Sequence, residues 1–150
     1  MRRAIELSLE NVSSNKGGPF GAVVVRGGSI IGEGTNQVLS TNDPSAHAEV
    51  VAIRDACRKL NSFQLTGCEI YSSCEPCPMC MGLIYWSRPE RIYYGNTASD
   101  AAAVGFDDDF IYHELAKPAE NRSLKMRQIM RDEAFAAFAA WQKKADKIQY

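Results

Sequence analysis

The apolar positions along the chain follow two periods, one typical of helices and one typical of strands. Ile5, Leu9 and Val12 recur at spacings of four and three, which predicts an N-terminal helix that ends before Gly17-Gly18-Pro19. Short apolar runs on either side of Gly27-Gly28 predict a β-hairpin, because paired glycines tolerate the positive φ angles of a two-residue turn. The predicted elements are, in chain order, a helix at 2–15, strands at 20–25 and 30–33, a helix from 42–45 to 60, a strand at 70–73, a helix from 75–78 to 86, a strand at 91–94 and a helix at 132–144.

This order of elements predicts an α/β domain in which helices pack on a mixed sheet. Helical crossovers make the later strands parallel, whereas the first hairpin is antiparallel. The chain has 150 residues, 45% of them apolar, so we expect a single domain that spans residues 1–150.

The last predicted helix differs in kind from the others. An acid, Asp132, opens it and lysines close it, which suits the helix dipole, but residues 134–141 include no polar side chain. A helix that is apolar on every side is expected to be buried. It is either a core helix of this domain or a helix packed against a partner subunit, and the residues alone leave both interpretations open.

The charge balance argues against a polyanionic partner. Seventeen basic side chains stand against eighteen acidic ones, and phosphate contacts usually need a basic surface. We therefore expect no nucleic acid partner. No apolar run approaches the ~20 residues of a membrane span, and the acids Glu6 and Glu10 interrupt any signal-peptide core. Together with an odd count of five cysteines, this predicts a cytoplasmic protein with reduced thiols and no membrane contact.

Two segments carry the candidate chemistry: His47-Ala48-Glu49, and Pro76-Cys77-Pro78-Met79-Cys80. They match the H-x-E and P-C-x-x-C signature of zinc deaminases, and each lies at a predicted helix start behind a proline. Cys77 and Cys80 are three apart and face the same way in a first helical turn. Zinc accepts thiolates and imidazole, and three protein ligands leave a fourth position for water. Glu49 is the candidate proton carrier, provided that His47 lies close enough to the helix start for both side chains to reach one site.

Other interpretations of these cysteines remain. A lone C-x-x-C is also typical of structural zinc or of a thiol-redox module. Cys74 lies three positions before Cys77, so it could complete a closed, structural site that leaves Glu49 without a role. Cys57 and Cys68 fit no ligand pattern and are expected to be packing residues.

The chain resembles the cytidine-deaminase-like superfamily, and within it the bacterial guanine deaminases of short length. Ser45 is a mild departure, since threonine is more frequent there, but both residues can cap a helix. The stretches that carry the resemblance are Gly17 to Val23, Asn42 to Val50, Ser73 to Cys80, Gly105-Phe106-Asp107-Asp108 and the terminal Tyr150.

The resemblance implies a three-layer α/β/α fold with a mixed five-stranded sheet and helices on both faces. It also implies a homodimer that exchanges its C-terminal segments, from about residue 105 to 150. Zn²⁺ would be held by His47, Cys77 and Cys80, with Glu49 as the proton shuttle.

The resemblance further implies a second carboxylate, Asp108, near the exocyclic amine, and Asn36 as a hydrogen-bonding partner of a purine. Phe20 and Trp86 would form pocket walls, and Tyr150 would close the site from the tail. From the residues alone, Phe20 could equally be core, Asn36 a turn residue, the acids at 107–109 a solvated loop and Tyr150 a frayed terminus.

The function that follows is zinc-dependent hydrolysis of guanine to xanthine and ammonia, with a small-molecule purine as the substrate. The alternatives are the same chemistry on guanosine, on adenosine in transfer RNA or on cytosine. A structural zinc or redox module is the alternative from another class, and it predicts tight zinc without deamination of any base.

Overall fold

A computed structural model describes residues 1–106 and 108–149 of the chain. Its backbone divides into two compact units, Met1–Tyr112 and His113–Tyr150. The elements are α1 (Arg2–Ser13), β1 (Gly21–Arg26), β2 (Ser29–Thr35), α2 (Val38–Thr41), α3 (Ala48–Leu60), β3 (Cys68–Cys74), α4 (Pro78–Ser87), β4 (Arg91–Asn96), α5 (Ala98–Ala103), α6 (Asp109–Ala116), a 3₁₀ turn (Ala119–Asn121) and α7 (Arg131–Lys143).

The sheet is mixed, as the order of elements predicts, and its strands run in the order β2-β1-β3-β4. β1 is antiparallel to β2 and to β3, whereas β3 and β4 are parallel. Four strands form among the described residues, so the expectation of five is corrected. The chain after β4 turns into helix instead, because Thr97 and Asp100 form a reciprocal capping box that begins α5.

Helices cover both faces of the sheet, which confirms the three-layer α/β/α arrangement. A methyl group at Gly21 would lie 2.3 Å from the carbonyl oxygen of Ala4, so α1 lies directly against one face of β1. A methyl group at Gly34 would lie 2.2 Å from the carbonyl oxygen of Ala48, so α3 lies as closely against β2. Ala22 and Val24 of β1 face the main hydrophobic core, which includes residues of α3 and α4.

The first helix forms as predicted, but it buries a different face. Ile5, Leu9 and Val12 are 44%, 65% and 48% exposed. The buried side chains are Ala4, Leu7, Ser8 and Asn11. The close approach of α1 to β1 leaves room mainly for short side chains there, and this outweighs the hydrophobic periodicity.

Helix α3, which was predicted to begin at 42–45, begins later in the structure. The expected start at 42–45 is a separate turn, in which the Asp43 carboxylate accepts hydrogen bonds from the backbone N–H and the hydroxyl of Ser45. The helix proper begins at Ala48, with His47 as its N-cap in an extended conformation. Helix α4 is built in the same way, with Cys77 as an extended N-cap and Pro78 as the first helical residue.

In the C-terminal unit, α7 forms at the predicted place but has no buried residue. Its aromatic side chains Phe135, Phe138 and Trp141 are 47%, 70% and 43% exposed. The interpretation as a core helix is therefore wrong for the described chain. Among the residues that the structure describes, no helix has the length and apolar character needed to cross a membrane.

Candidate functional site

Three side chains meet at the starts of α3 and α4. Nδ1 of His47 lies 3.5 Å from Sγ of Cys77 and 3.6 Å from Sγ of Cys80, and the three ligand atoms all lie within 4.8 Å of one another. His47 and Cys77 are N-caps with extended backbones, and Cys80 is the third residue of α4. The predicted ligand set is thus assembled by two helix starts.

This cluster has the dimensions of a zinc site. A thiolate at about 2.3 Å and an imidazole at about 2.0 Å from a tetrahedral ion are about 3.5 Å from each other. Both helix N-termini contribute partial positive charge, which favours thiolates. Hydrogen bonds with Cys80 and with His47 lower the pKa of Cys77 to about 4, and the bond to Cys77 raises the pKa of Cys80. A divalent cation between the two sulfurs favours the thiolate form of both. The donor set therefore fits Zn²⁺.

Cys74 is not part of this cluster. Its Sγ donates to the carbonyl oxygen of Thr97 at 3.6 Å, and burial raises its pKa to about 11, so the thiol is neutral. Among the described residues, the cluster of possible ligands comprises only His47, Cys77 and Cys80. Three ligands leave an open position, which is typical of catalytic rather than structural zinc. Cys57 and Cys68 pack in or against the hydrophobic core, as expected.

Glu49 lies beside the three ligands and is 5% exposed. Its Oε1 accepts a hydrogen bond of 2.8 Å from the Ser72 hydroxyl, and its Oε2 lies 3.4 Å from Sγ of Cys80. Burial raises the pKa of this carboxyl above its usual value. Because His47 is an N-cap outside the helix, the i and i+2 side chains reach the same site after all. A buried carboxyl with a raised pKa suits proton transfer near neutral pH.

A cavity of about 200 Å³ opens onto His47, Cys77 and Glu49. The structure brings three further predicted residues to its walls: Phe20, Asn36 and Asp108. The other residues that line it are Cys74, Glu75, Ala98, Ala101 and Phe106.

Phe106 is a wall residue to which sequence reasoning assigned no role. Its ring meets that of Phe20 edge to face, with centroids 4.9 Å apart and planes at 87°. Its place in the Gly105-Phe106-Asp107-Asp108 stretch, next to a candidate carboxylate, was the available signal. Two aromatic side chains in edge-to-face contact form a rigid apolar wall against which a flat heterocycle can stack.

Asn36 is held so that its amide nitrogen is available to a ligand. Its Oδ1 accepts from the backbone N–H of Val38 at 3.3 Å, and its carbonyl oxygen accepts from Nδ2 of Asn11 at 2.9 Å. Asn11 also donates to the carbonyl oxygen of Gly18 at 2.8 Å, close to Phe20. One buried amide thus fixes two edges of the cavity.

The metal-bearing loop is tied to the segment that carries Phe106 and Asp108. Oε2 of Glu75 accepts from the backbone N–H of Ala98 at 3.0 Å, at the start of α5. The Tyr112 hydroxyl donates to the carbonyl oxygen of Pro76 at 3.3 Å. These contacts place the second carboxylate near the metal ligands.

One predicted wall residue, Trp86, is not at this cavity. Trp86 is 64% exposed and does not line it, because it lies six residues along α4 from Cys80, about 9 Å of helix rise. Its predicted role is not met within one chain. Tyr150 lies outside the described residues.

Comparisons with known proteins agree with this geometry. Residues 1–96 match the cytidine and deoxycytidylate deaminase zinc-binding region. The chain is 51% identical to a guanine deaminase of Bacillus subtilis over 150 residues, which cover 100% of this chain and 96% of that protein. An X-ray structure of guanine deaminase from Bacillus subtilis superposes with a TM-score of 0.96 at 52% identity and covers 99% of this chain and 95% of that one. A tRNA-specific adenosine deaminase of Aquifex aeolicus is 36% identical over 126 residues, covering 84% of this chain and 81% of that protein.

Proposed function

The chain belongs to the cytidine and deoxycytidylate deaminase zinc-binding family, and we propose that it hydrolyses guanine to xanthine and ammonia. The observation that carries the chemistry is the meeting of His47, Cys77 and Cys80 beside the buried carboxyl of Glu49 at one cavity. The choice of guanine rests on the 51% identity to the Bacillus subtilis enzyme along the whole chain.

The reaction adds water to the ring carbon that bears the amino group and expels that group as ammonia. Zinc, when bound by His47, Cys77 and Cys80, supplies the positive charge that makes a neighbouring water more acidic. Glu49 takes one proton from this water and transfers it to the adjacent ring nitrogen, and it then carries the remaining proton of the added hydroxyl group to the leaving amine, so that the hydroxyl becomes a carbonyl. Its burial beside Cys80 keeps the carboxyl within reach of each of these positions.

The remaining cavity residues bind and orient the base. Phe20 and Phe106 together form an apolar wall for the ring system, and the amide nitrogen of Asn36 donates to a purine acceptor. Asp108 assists the protonation of the exocyclic amine, since two proton deliveries are needed in each turnover. Hydrogen bonding to Cys77 is the main cause that raises the pKa of His47, and the negative charge of Asp108 raises it slightly further.

A substrate panel tests this proposal. Purified protein with one zinc per chain is expected to release ammonia from guanine at a kcat/KM well above that for guanosine, cytosine or a transfer RNA anticodon stem. Tight zinc without ammonia from any of these substrates would contradict enzymatic function and favour a structural or redox module.

Adenosine in transfer RNA is the second candidate substrate, and the similarity to the Aquifex aeolicus enzyme favours it. The net charge of −1 speaks against a large phosphate-binding surface. Inosine formation in transfer RNA, with a rate that falls steeply with salt, would establish this activity in place of the proposed one.

We propose in addition that the protein is a homodimer, that both units of a chain act as one deaminase domain, and that segments from about residue 105 to 150 are exchanged between subunits. The exposed aromatic side chains of α7 support a partner surface, because exposed apolar patches of this kind mark interaction sites. Light scattering tests the dimer. A mixture of Glu49→Gln with a variant lacking residues 149–150 tests exchange, since one complete site per mixed dimer would restore activity.

The cytoplasm is the proposed location. All five cysteines are unpaired, and a site that needs two thiolates requires a reducing compartment. Fractionation of cells that express the intact chain would test this.

A further inference from the structure

Ser72 carries a hydroxyl group at a buried position of the sheet, where apolar side chains are more common. It lies on the central strand β3, pairs with Ala22 of β1 and Tyr94 of β4, and is 1% exposed. A buried hydroxyl is costly unless it is hydrogen-bonded. Its Oγ donates to Oε1 of Glu49 at 2.8 Å, so this hydroxyl is committed to the proton-carrying carboxyl.

We propose that Ser72 is a positioning residue that holds Oε1 of Glu49 and thereby reserves Oε2 for proton transfer. This inference rests on the proposed deamination and specifies which oxygen of the carboxyl works. No feature of the sequence motifs singled out Ser72.

The two oxygens of Glu49 have different surroundings. Oε1 faces the strand and accepts from Ser72, whereas Oε2 lies 3.4 Å from Sγ of Cys80, on the side of the metal ligands. A proton on Oε2 leaves Oε1 as a carbonyl oxygen, which still accepts from Ser72. A proton on Oε1 would require the serine hydroxyl to turn and accept instead. The observed geometry, with Oε1 held by Ser72 and Oε2 on the side of the metal ligands, therefore points to Oε2 as the working oxygen.

Zinc binding makes this contact more important. Once Cys80 is a thiolate ligand it has no proton to donate to Glu49. Among the residues that the structure describes, Ser72 is then the one side chain that donates a hydrogen bond to this carboxyl from an oxygen or nitrogen atom. Without it, the carboxyl rotates more freely about its last torsion and presents Oε2 in the productive direction less often.

Three variants test the proposal in the zinc-loaded protein. Ser72→Ala removes the donor, Ser72→Thr keeps it, and Ser87→Ala is the matched control. Ser87 is also a buried serine, 3% exposed, but its hydroxyl donates to the backbone oxygen of Ile84 near the other end of α4. Zinc content, KM, the single-turnover rate with guanine, and a crystal structure of the Ser72→Ala protein are the measurements.

Because Ser72→Ala loses one hydrogen bond to a charged group, its single-turnover rate should fall by about tenfold to a hundredfold. Zinc content should stay at one per chain and KM within about threefold of the parent. Ser72→Thr should recover most of the rate, and Ser87→Ala should keep it despite a similar loss of stability. The Glu49 carboxyl should be rotated or split between conformers in the Ser72→Ala crystal structure.

Other outcomes would overturn the proposal. A Ser72→Ala rate within about twofold of the parent, loss of zinc, or an unmoved Glu49 side chain would each reduce Ser72 to a packing residue. A Ser72→Thr protein that folds and is as slow as Ser72→Ala would do the same. If the added methyl group prevents folding, Ser72→Cys replaces it and should give an intermediate rate, because a thiol is a weak donor.

Failure of this idea is separable from failure of the proposed function. A parent protein that does not deaminate guanine removes the function itself. An active parent with an unaffected Ser72→Ala variant removes only the positioning role.

Discussion

Nδ1 of His47 lies 3.5 Å from Sγ of Cys77, although the two residues are 30 positions apart in the chain. Each is the extended N-cap of a helix, and these two helices, α3 and α4, pack on the same side of the sheet. The metal site is therefore a meeting of two helix starts. Its integrity depends on the closeness of α3 to the strands beneath it as much as on the ligands.

Replacement of the proposed proton carrier should separate metal binding from turnover. Glu49→Gln leaves the three ligands in place, so zinc content should be unchanged, whereas kcat should fall by about 10²–10⁴ because the proton shuttle is lost. Glu10→Gln, at an exposed position on α1, serves as the control. A Glu49→Gln protein with parental rates would refute the assigned role.

Metal analysis can test whether Cys74 is a zinc ligand. Cys74→Ala should keep one zinc per chain, whereas Cys80→Ala should lose it, since Cys74 lies outside the ligand cluster. Zinc removal should also lower the Tm of the parent, because a ligand at about 100 times its Kd stabilises by about 2.7 kcal/mol. A chelator should leave the Tm of Cys80→Ala unchanged. A Cys74→Ala protein that loses its zinc would instead favour a closed structural site with Cys74 as the fourth ligand.

The second carboxylate should matter for the amine that leaves. Asp108 lines the cavity and Asp109, its neighbour, does not, so the two acids form a matched pair. Asp108→Asn should lower kcat for guanine by about tenfold to a hundredfold while zinc is retained, because protonation of the amine slows. Asp109→Asn should behave as the parent. Equal rates in the two variants would return Asp108 to a solvated loop.

Two glycine variants should change stability in opposite directions. Gly34→Ala places a methyl group 2.2 Å from the carbonyl oxygen of Ala48. It should force α3 away from β2 and lower the free energy of unfolding by roughly several kcal/mol. Gly82→Ala meets no atom within 4 Å and should stabilise α4 by about 1 kcal/mol through helix propensity. Denaturant unfolding measures both. An unchanged midpoint for Gly34→Ala would contradict the close packing of α3.

Removal of the last two residues tests the predicted contribution of the tail. If Tyr150 closes the site, a chain without residues 149–150 should lose kcat/KM for guanine and retain zinc. Tyr150→Phe should keep most of the activity if the ring, rather than its hydroxyl, covers the base. A truncated chain with the parental specificity constant would show that the terminus has no part in catalysis.

Local signals were sufficient for much of the fold. The turn at Gly27-Gly28 has φ angles of +55° and +80°, and the hairpin around it forms with the predicted ends to within two residues. Paired glycines and a capped helix start act through neighbouring residues only, so a single sequence contains the information.

Several features of the structure differ from the sequence-based predictions, and packing between distant segments explains most of them. Ile5, Leu9 and Val12 of α1 face outward because the close approach of α1 to β1 favours the shorter side chains of the other face. The later start of α3 has a local cause instead, because Asp43 accepts hydrogen bonds from Ser45 in a separate turn. Trp86 is exposed within one chain, and Phe106 and Ser72 acquired roles only when the cavity formed. None of these outcomes follows from spacing.

The sequence by itself determined the candidate chemistry of the site, because an imidazole, two thiols and a carboxyl in their helix-start motifs are the groups that a zinc deaminase uses. Only the tertiary structure decided that His47 reaches Cys77, that Cys74 lies apart, and that Ser72 holds one oxygen of Glu49. The physical reason is range. Ligand preference and helix capping act over a few bonds, whereas the convergence of segments separated by 30 positions depends on how two helices and a twisted sheet exclude water together.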